Sequence, residues 1–140
     1  MKQSFVLDVS ACLPWCCEDE TTPASEQTLE WAVQGSALHV PALWLWEIVN
    51  VLGVAVKRRR ISAGRSQEFP VRLGTFNFHV AAVASVTGLP QLQALASRHK
   101  LTAYDAAYLE LALRFSLPLA TRDDDLRKAA RAEAVEVLNA

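Results

Sequence analysis

Between Pro41 and Val56 the chain reads Pro-Ala-Leu-Trp-Leu-Trp-Glu-Ile-Val-Asn-Val-Leu-Gly-Val-Ala-Val, enough for about four turns of helix. Proline suits the start of such a helix, where its missing N–H costs nothing. The stretch is apolar on every side, the pattern of a helix buried all round. Glu47 breaks it, with Asn50 about one turn further along the same face. Glutamate is almost never fully buried without a partner, because an unpaired carboxylate loses too much hydration. Whatever this chain folds into must place something opposite Glu47.

The flanking sequence alternates short apolar runs with helical segments. Ser4 to Leu7 is long enough for a central strand and too short for a helix, and it ends at Asp8. Ser10 is a candidate cap for a short helix over Ala11–Cys17, and Glu18 to Pro23 reads as a loop. A helix opens at Ser25, runs to about Val33 and closes at Gly35. Leu38–Val40 reads as a strand leading into the Pro41 helix, which ends in Lys57-Arg58-Arg59-Arg60, cations where the macrodipole favours them. Ser62 caps a helix to Leu73, Gly74 breaks it, and Thr75–Val80 has strand-like content. Ala81–Thr87 is undetermined. Helices are expected from Leu89 or Pro90 to His99 and from Thr102 to Phe115, the latter with Glu110 and Arg114 paired one turn apart. A strand over Leu117–Ala120, a helix over Leu126–Ala134 and a strand over Val135–Leu138 close the chain. This order predicts an α/β three-layer sandwich with a mostly parallel central sheet and helices on both faces, as one domain over residues 1–140.

Composition narrows the function. A net charge of −1 and a pI near 6.3 exclude a generally basic nucleic-acid binder, so phosphate must be met by local patches or metal ions. Cys12, Cys16 and Cys17 are odd in number and crowded together, which suits a reducing cytosol rather than a disulfide framework or a zinc site. No signal peptide is evident, and the Trp-rich stretch is too short before Lys57 to span a bilayer. A soluble cytoplasmic protein is expected.

In a parallel sheet, ligands sit outside the carboxyl ends of the strands. Asp8 and Asp123 both fall there. Asp105 follows Thr102 at capping-box spacing, in a first turn that favours negative charge. Each acid has an ordinary alternative: Asp8 as a turn residue, Asp105 as a cap partner, and Asp123 or Asp124 as the cap of the Leu126 helix. Glu47, placed mid-helix, has none. Carboxylates gathered around it require a cation, and hard oxygen ligands with room for water suit Mg²⁺ or Mn²⁺. Such ions activate water and stabilise the leaving oxygen of a phosphodiester. Lys57 to Arg60, Arg65, Arg98, Lys100, Arg122, Arg127 and Lys128 are candidates for holding phosphate. His39, His79 and His99 are scattered and read as structural.

Four segments together resemble the PIN-domain family, specifically VapC-type toxins: Phe5-Val6-Leu7-Asp8-Val9-Ser10-Ala11; Pro41-Ala42-Leu43 followed by Glu47-Ile48-Val49-Asn50-Val51-Leu52; Thr102-Ala103-Tyr104-Asp105-Ala106-Ala107-Tyr108; and Leu119-Ala120-Thr121-Arg122-Asp123 with Leu126. The resemblance implies a Mg²⁺- or Mn²⁺-dependent endoribonuclease that acts on single-stranded or loop RNA (tRNA, rRNA or mRNA). It implies the toxin of a type II toxin–antitoxin pair, a homodimer held by a cognate antitoxin. Carried over residue by residue, Asp8, Glu47, Asp105 and Asp123 are the catalytic and metal-site acids. Ser10 and Thr121 are polar helpers, Asn50 braces Glu47, and Asp125 is a supporting acid or a flanking helix residue. Arg58, Arg59, Arg60 and Arg122 are the expected RNA contacts. The competing expectation is a non-catalytic module of the same fold whose acidic cavity binds a partner's arginine.

Overall fold

The computed structural model describes residues 3–82 and 85–138. Five strands form one sheet: β1 (Phe5–Leu7), β2 (Leu38–Pro41), β3 (Phe78–Ala81), β4 (Leu119–Ala120) and β5 (Val137–Leu138). Their order is β3-β2-β1-β4-β5, and every neighbouring pair is parallel. Parallel neighbours need crossovers, and the helices supply them: α1 (Val9–Cys12), α2 (Pro23–Val33), α3 (Trp44–Lys57), α4 (Ala63–Leu73), α5 (Leu89–His99), α6 (Ala103–Phe115) and α7 (Asp124–Ala132). The α/β sandwich is the one expected. All three residues of β1 are sealed from solvent, as a strand covered by helices on both faces requires. Each such side chain contributes about 1.5–3 kcal/mol by burial.

Helix starts follow the capping chemistry. Thr22 and Ser25 form a reciprocal capping box with Pro23 in the first turn of α2, so the helix begins slightly earlier than Ser25 alone suggests. Ser62 and Thr102 cap α4 and α6 as expected. Asp8, not Ser10, stands at the start of α1; Ser10 lies inside that helix, and a 3₁₀ turn over Leu13–Trp15 continues the chain. Glu18–Glu20, expected as loop, forms a second 3₁₀ turn. The three cysteines are buried free thiols. Of the undetermined stretch after β3, residues 83–84 lie outside the described residues.

Two expectations about the Pro41 segment are corrected. Pro41 is the last residue of β2, at the end of the ladder, and α3 begins at Trp44. Glu47 therefore lies in the first helical turn, its N–H bonded to the Leu43 carbonyl. That is a position the helix dipole favours for a negative charge. Nor is α3 buried all round. Trp44, Ile48, Leu52 and Ala55 form the one buried stripe, while Leu45, Val49 and Trp46, the last 71% exposed, face outward. Among the described residues no helix is long and apolar enough to cross a membrane.

Candidate active site

The winding of the sheet reverses between β1, whose next strand lies on one side, and β4, which lies on the other. The crevice outside the carboxyl ends of two such strands is the natural ligand site of a parallel sheet. Asp8 follows β1 directly and is only 7% exposed. Its Oδ2 accepts hydrogen bonds from Ser10 Oγ and from Thr121 Oγ1, each at 2.7 Å. Thr121, fully buried, also accepts from the Asp123 N–H at 3.1 Å. Ser10 Oγ accepts from the Arg122 N–H at 2.9 Å. The Arg127 Nε donates to the Thr121 carbonyl at 2.9 Å. These bonds fasten the segment after β4 to α1 and fix Asp8 between two hydroxyl donors.

Asp123 accepts from the Leu126 N–H at 2.8 Å and caps α7, so its ordinary role and its place at the site coexist. Asp105 occupies the first turn of α6 behind the Thr102 cap, its N–H bonded to Thr102 Oγ1 at 3.2 Å. Glu47 reaches across from α3 and accepts from the Tyr108 hydroxyl at 3.1 Å. Tyr108, 1% exposed, projects from the same helix as Asp105, one turn further on. Asn50 is exposed and makes no hydrogen bond to Glu47; the brace is Tyr108. At its position in the sequence Tyr108 is indistinguishable from an ordinary core aromatic, and only its hydroxyl, which a buried tyrosine must satisfy, hinted at a polar neighbour.

The electrostatics show that these acids share one space. Burial pushes the Asp8 carboxyl above its ordinary pKa despite the Thr121 and Ser10 bonds, and Asp123 adds to the rise. Burial also raises Glu47, with Asp8 and Asp105 contributing. Asp105 is raised by burial, then by Asp123 and Asp8, and less by Asp125. Tyr108 is pushed upward too, by burial and the charges of Asp8 and Glu47. Among the described residues no lysine or arginine forms an ion pair with any of the three acids. The donor set is carboxylate oxygen alone, which fits a hard divalent cation. Among the described residues no three acid, histidine or cysteine side chains close into a ready-made metal cage. Asp8, Glu47, Asp105 and Asp123 would hold the cation. When bound, such an ion supplies water activation and stabilisation of a leaving oxygen.

The arginines divide. Arg60 pairs with Asp19 at 3.3 Å and with Glu20 at 3.0 Å, Arg122 with Glu20 at 3.2 Å, and Arg65 with Glu18 at 3.0 Å. Two of the four expected RNA contacts are thus held by the 3₁₀ turn over Glu18–Glu20. Arg58 and Arg59 are exposed at the end of α3. Asp124 and Asp125 are exposed in the first turn of α7.

The PIN-domain family model matches residues 5–132. The chain belongs to the PIN-domain family. PIN domains are generally nucleases that use divalent metals. The PIN fold is also seen in solved structures. A Pyrobaculum aerophilum protein superposes with a TM-score of 0.73 at 19% identity, covering 99% of this chain and 90% of that one. FitAcB from Neisseria gonorrhoeae gives 0.65 at 17% identity, covering 96% of each. A toxin–antitoxin complex from Klebsiella pneumoniae gives 0.59 at 20% identity, covering 86% and 87%. At these identities the likeness is one of fold. Among curated proteins, none matches the sequence.

Proposed function

We propose that this PIN domain, spanning residues 1–140, is a Mg²⁺- or Mn²⁺-dependent endoribonuclease that cleaves single-stranded or loop RNA in the cytoplasm. Its role is the toxin of a type II toxin–antitoxin pair. The observation that carries the reading is the set of carboxylates at the β1–β4 crevice, held by hydroxyls and helix caps and without an ion pair among the described residues. Asp8, Glu47, Asp105 and Asp123 hold the ion. Ser10 and Thr121 fix Asp8, and Tyr108 fixes Glu47.

The fold shared with a toxin–antitoxin complex supports an antitoxin partner, and the outward apolar face of α3 at Leu45, Trp46 and Val49 supports a homodimer. Sequencing RNA ends after induction of the protein, with Asp8→Asn as control, tests the assignment. Cleavage ends that appear with the parent chain and vanish with Asp8→Asn are expected. Mg²⁺ binding with no cleavage of tRNA, rRNA or mRNA would make the chain a non-catalytic module instead.

A further inference from the structure

A second polar cleft adjoins the acidic crevice. It is a groove of about 410 Å³ lined by Arg98, His99, Lys100, Asp125, Lys128, Ala129 and Ala132, a volume within the range of small-molecule sites. One wall is the C-terminal end of α5, the other the length of α7. Both walls lead to the site. Lys100 stands two residues before the cap of α6, whose first turn carries Asp105. Asp125 lies two residues after Asp123, and its charge reaches Asp105.

The cations here differ from those at the Glu18–Glu20 turn. Lys100 and Lys128 are exposed, and neither has an ion-pair partner among the described residues. Arg98 and His99 are held in place by Glu133, at 2.8 Å and 2.7 Å. Lys100 also occupies the left-handed region, with φ 54, at a helix end where glycine is the unstrained choice. The two alanines keep the groove open, and its planar side chains, Arg98 and His99, are both tied to Glu133.

We infer that this groove is the track for the RNA backbone next to the cleavage site, with Lys100 and Lys128 binding phosphates. The inference rests on the nuclease reading above. Metal-bound acids handle the scissile phosphate, while neighbouring phosphates of the same strand need cations that no carboxylate already holds. Because its free cations meet phosphates rather than base edges, the groove positions RNA without reading its sequence.

The test is fluorescence anisotropy with labelled single-stranded oligoribonucleotides of different sequence, over a series of salt concentrations. The full chain carries Asp8→Asn to silence cleavage, with and without Lys100→Gly and Lys128→Ala. The double variant is expected to bind on the order of tenfold more weakly whatever the sequence. The slope of log affinity against log salt should fall by about 1.4, roughly 0.7 per phosphate contact on a single strand. Lys100→Gly relieves the left-handed backbone, so its melting temperature should equal or exceed the parent's, which keeps misfolding from mimicking the effect. An unchanged affinity and slope overturn the groove, as does a loss confined to one sequence. So does weaker capture of a co-purifying protein with RNA binding intact. If the lysine variants bind RNA as the Asp8→Asn parent does while the unsubstituted chain cleaves it, the groove alone is wrong. If the parent neither binds nor cleaves RNA, the nuclease reading falls with it.

Discussion

The molecule holds two clusters of carboxylates, and they have opposite fates. At the 3₁₀ turn, Glu18, Asp19 and Glu20 each meet an arginine brought from a distant part of the chain. At the β1–β4 crevice, Asp8, Glu47 and Asp105 meet hydroxyls and one another. Guanidinium groups neutralise the first cluster and leave it a structural clasp. The second is left with its repulsion, which adds to the burial that raises the carboxyl pKa values of Asp8, Glu47 and Asp105. Clusters that look alike in composition are told apart by what faces them.

Removing a charge should therefore act in opposite directions at the two places. The largest effect is expected from Asp8→Asn: cleavage is abolished, yet the metal-free protein melts no lower than the parent, because a buried repulsion is gone. A clear drop in melting temperature in chelator would show that the Asp8 carboxylate is a stabilising group and undo the contrast. Next comes Tyr108→Phe, which deprives Glu47 of its one side-chain donor. Loss of a hydrogen bond behind a metal ligand typically costs 10–100-fold in affinity, so Mn²⁺ titration calorimetry should show a fall of about that size with the fold retained. Equal affinities would remove Tyr108 from the site's support.

The same contrast has a pH signature. Asp8, Glu47 and Asp105 have folded pKa values raised above their ordinary ones. For these groups the folded state binds more protons than the unfolded state within that window, so stability falls as pH rises. Their contribution is most favourable below about pH 4, near the ordinary carboxylate values, and is lost as pH climbs through the raised ones. Mg²⁺ should therefore raise the melting temperature at neutral pH and have little effect near pH 4, as thermal melts with and without the ion would reveal. The smallest change is expected from Glu20→Gln. Partly exposed ion pairs contribute little, so melting should fall by a few degrees at most while cleavage persists. A rise in melting temperature would mean that Glu20, too, sits in a repulsive cluster.

Much of the fold is written in local pattern. The run Phe5-Val6-Leu7, the caps at Ser62 and Thr102, and Gly35 after α2, at φ 96, are legible because each depends on neighbours a few residues away. Asp8, Asp105 and Asp123 were legible by their place at strand ends and in a first turn, whereas Glu47 was singled out by a mid-helix position that the later start of α3 corrects. What was not legible depends on distance or on partners. Glu20 finds Arg60 and Arg122 across 40 residues or more of sequence, and no periodicity announces such pairs. The apolar character of α3 said that its sides avoid water, but not that Trp46 and Val49 would stand exposed. Pro41 was compatible both with a helix start and with a strand end, and only the ladder with β3 decides.

Consider, last, when the site comes into being. Asp8 is made well before the Thr121 hydroxyl that fixes it, which lies 113 positions further along the chain. At synthesis rates of roughly 5–20 residues per second, Asp8 waits on the order of ten seconds for Thr121 and Asp123 to leave the ribosome. Because β4 pairs with β1, a chain cut short before Leu119 lacks one side of the crevice. The two sides of the crevice, 113 positions apart, meet only after β4 has been made.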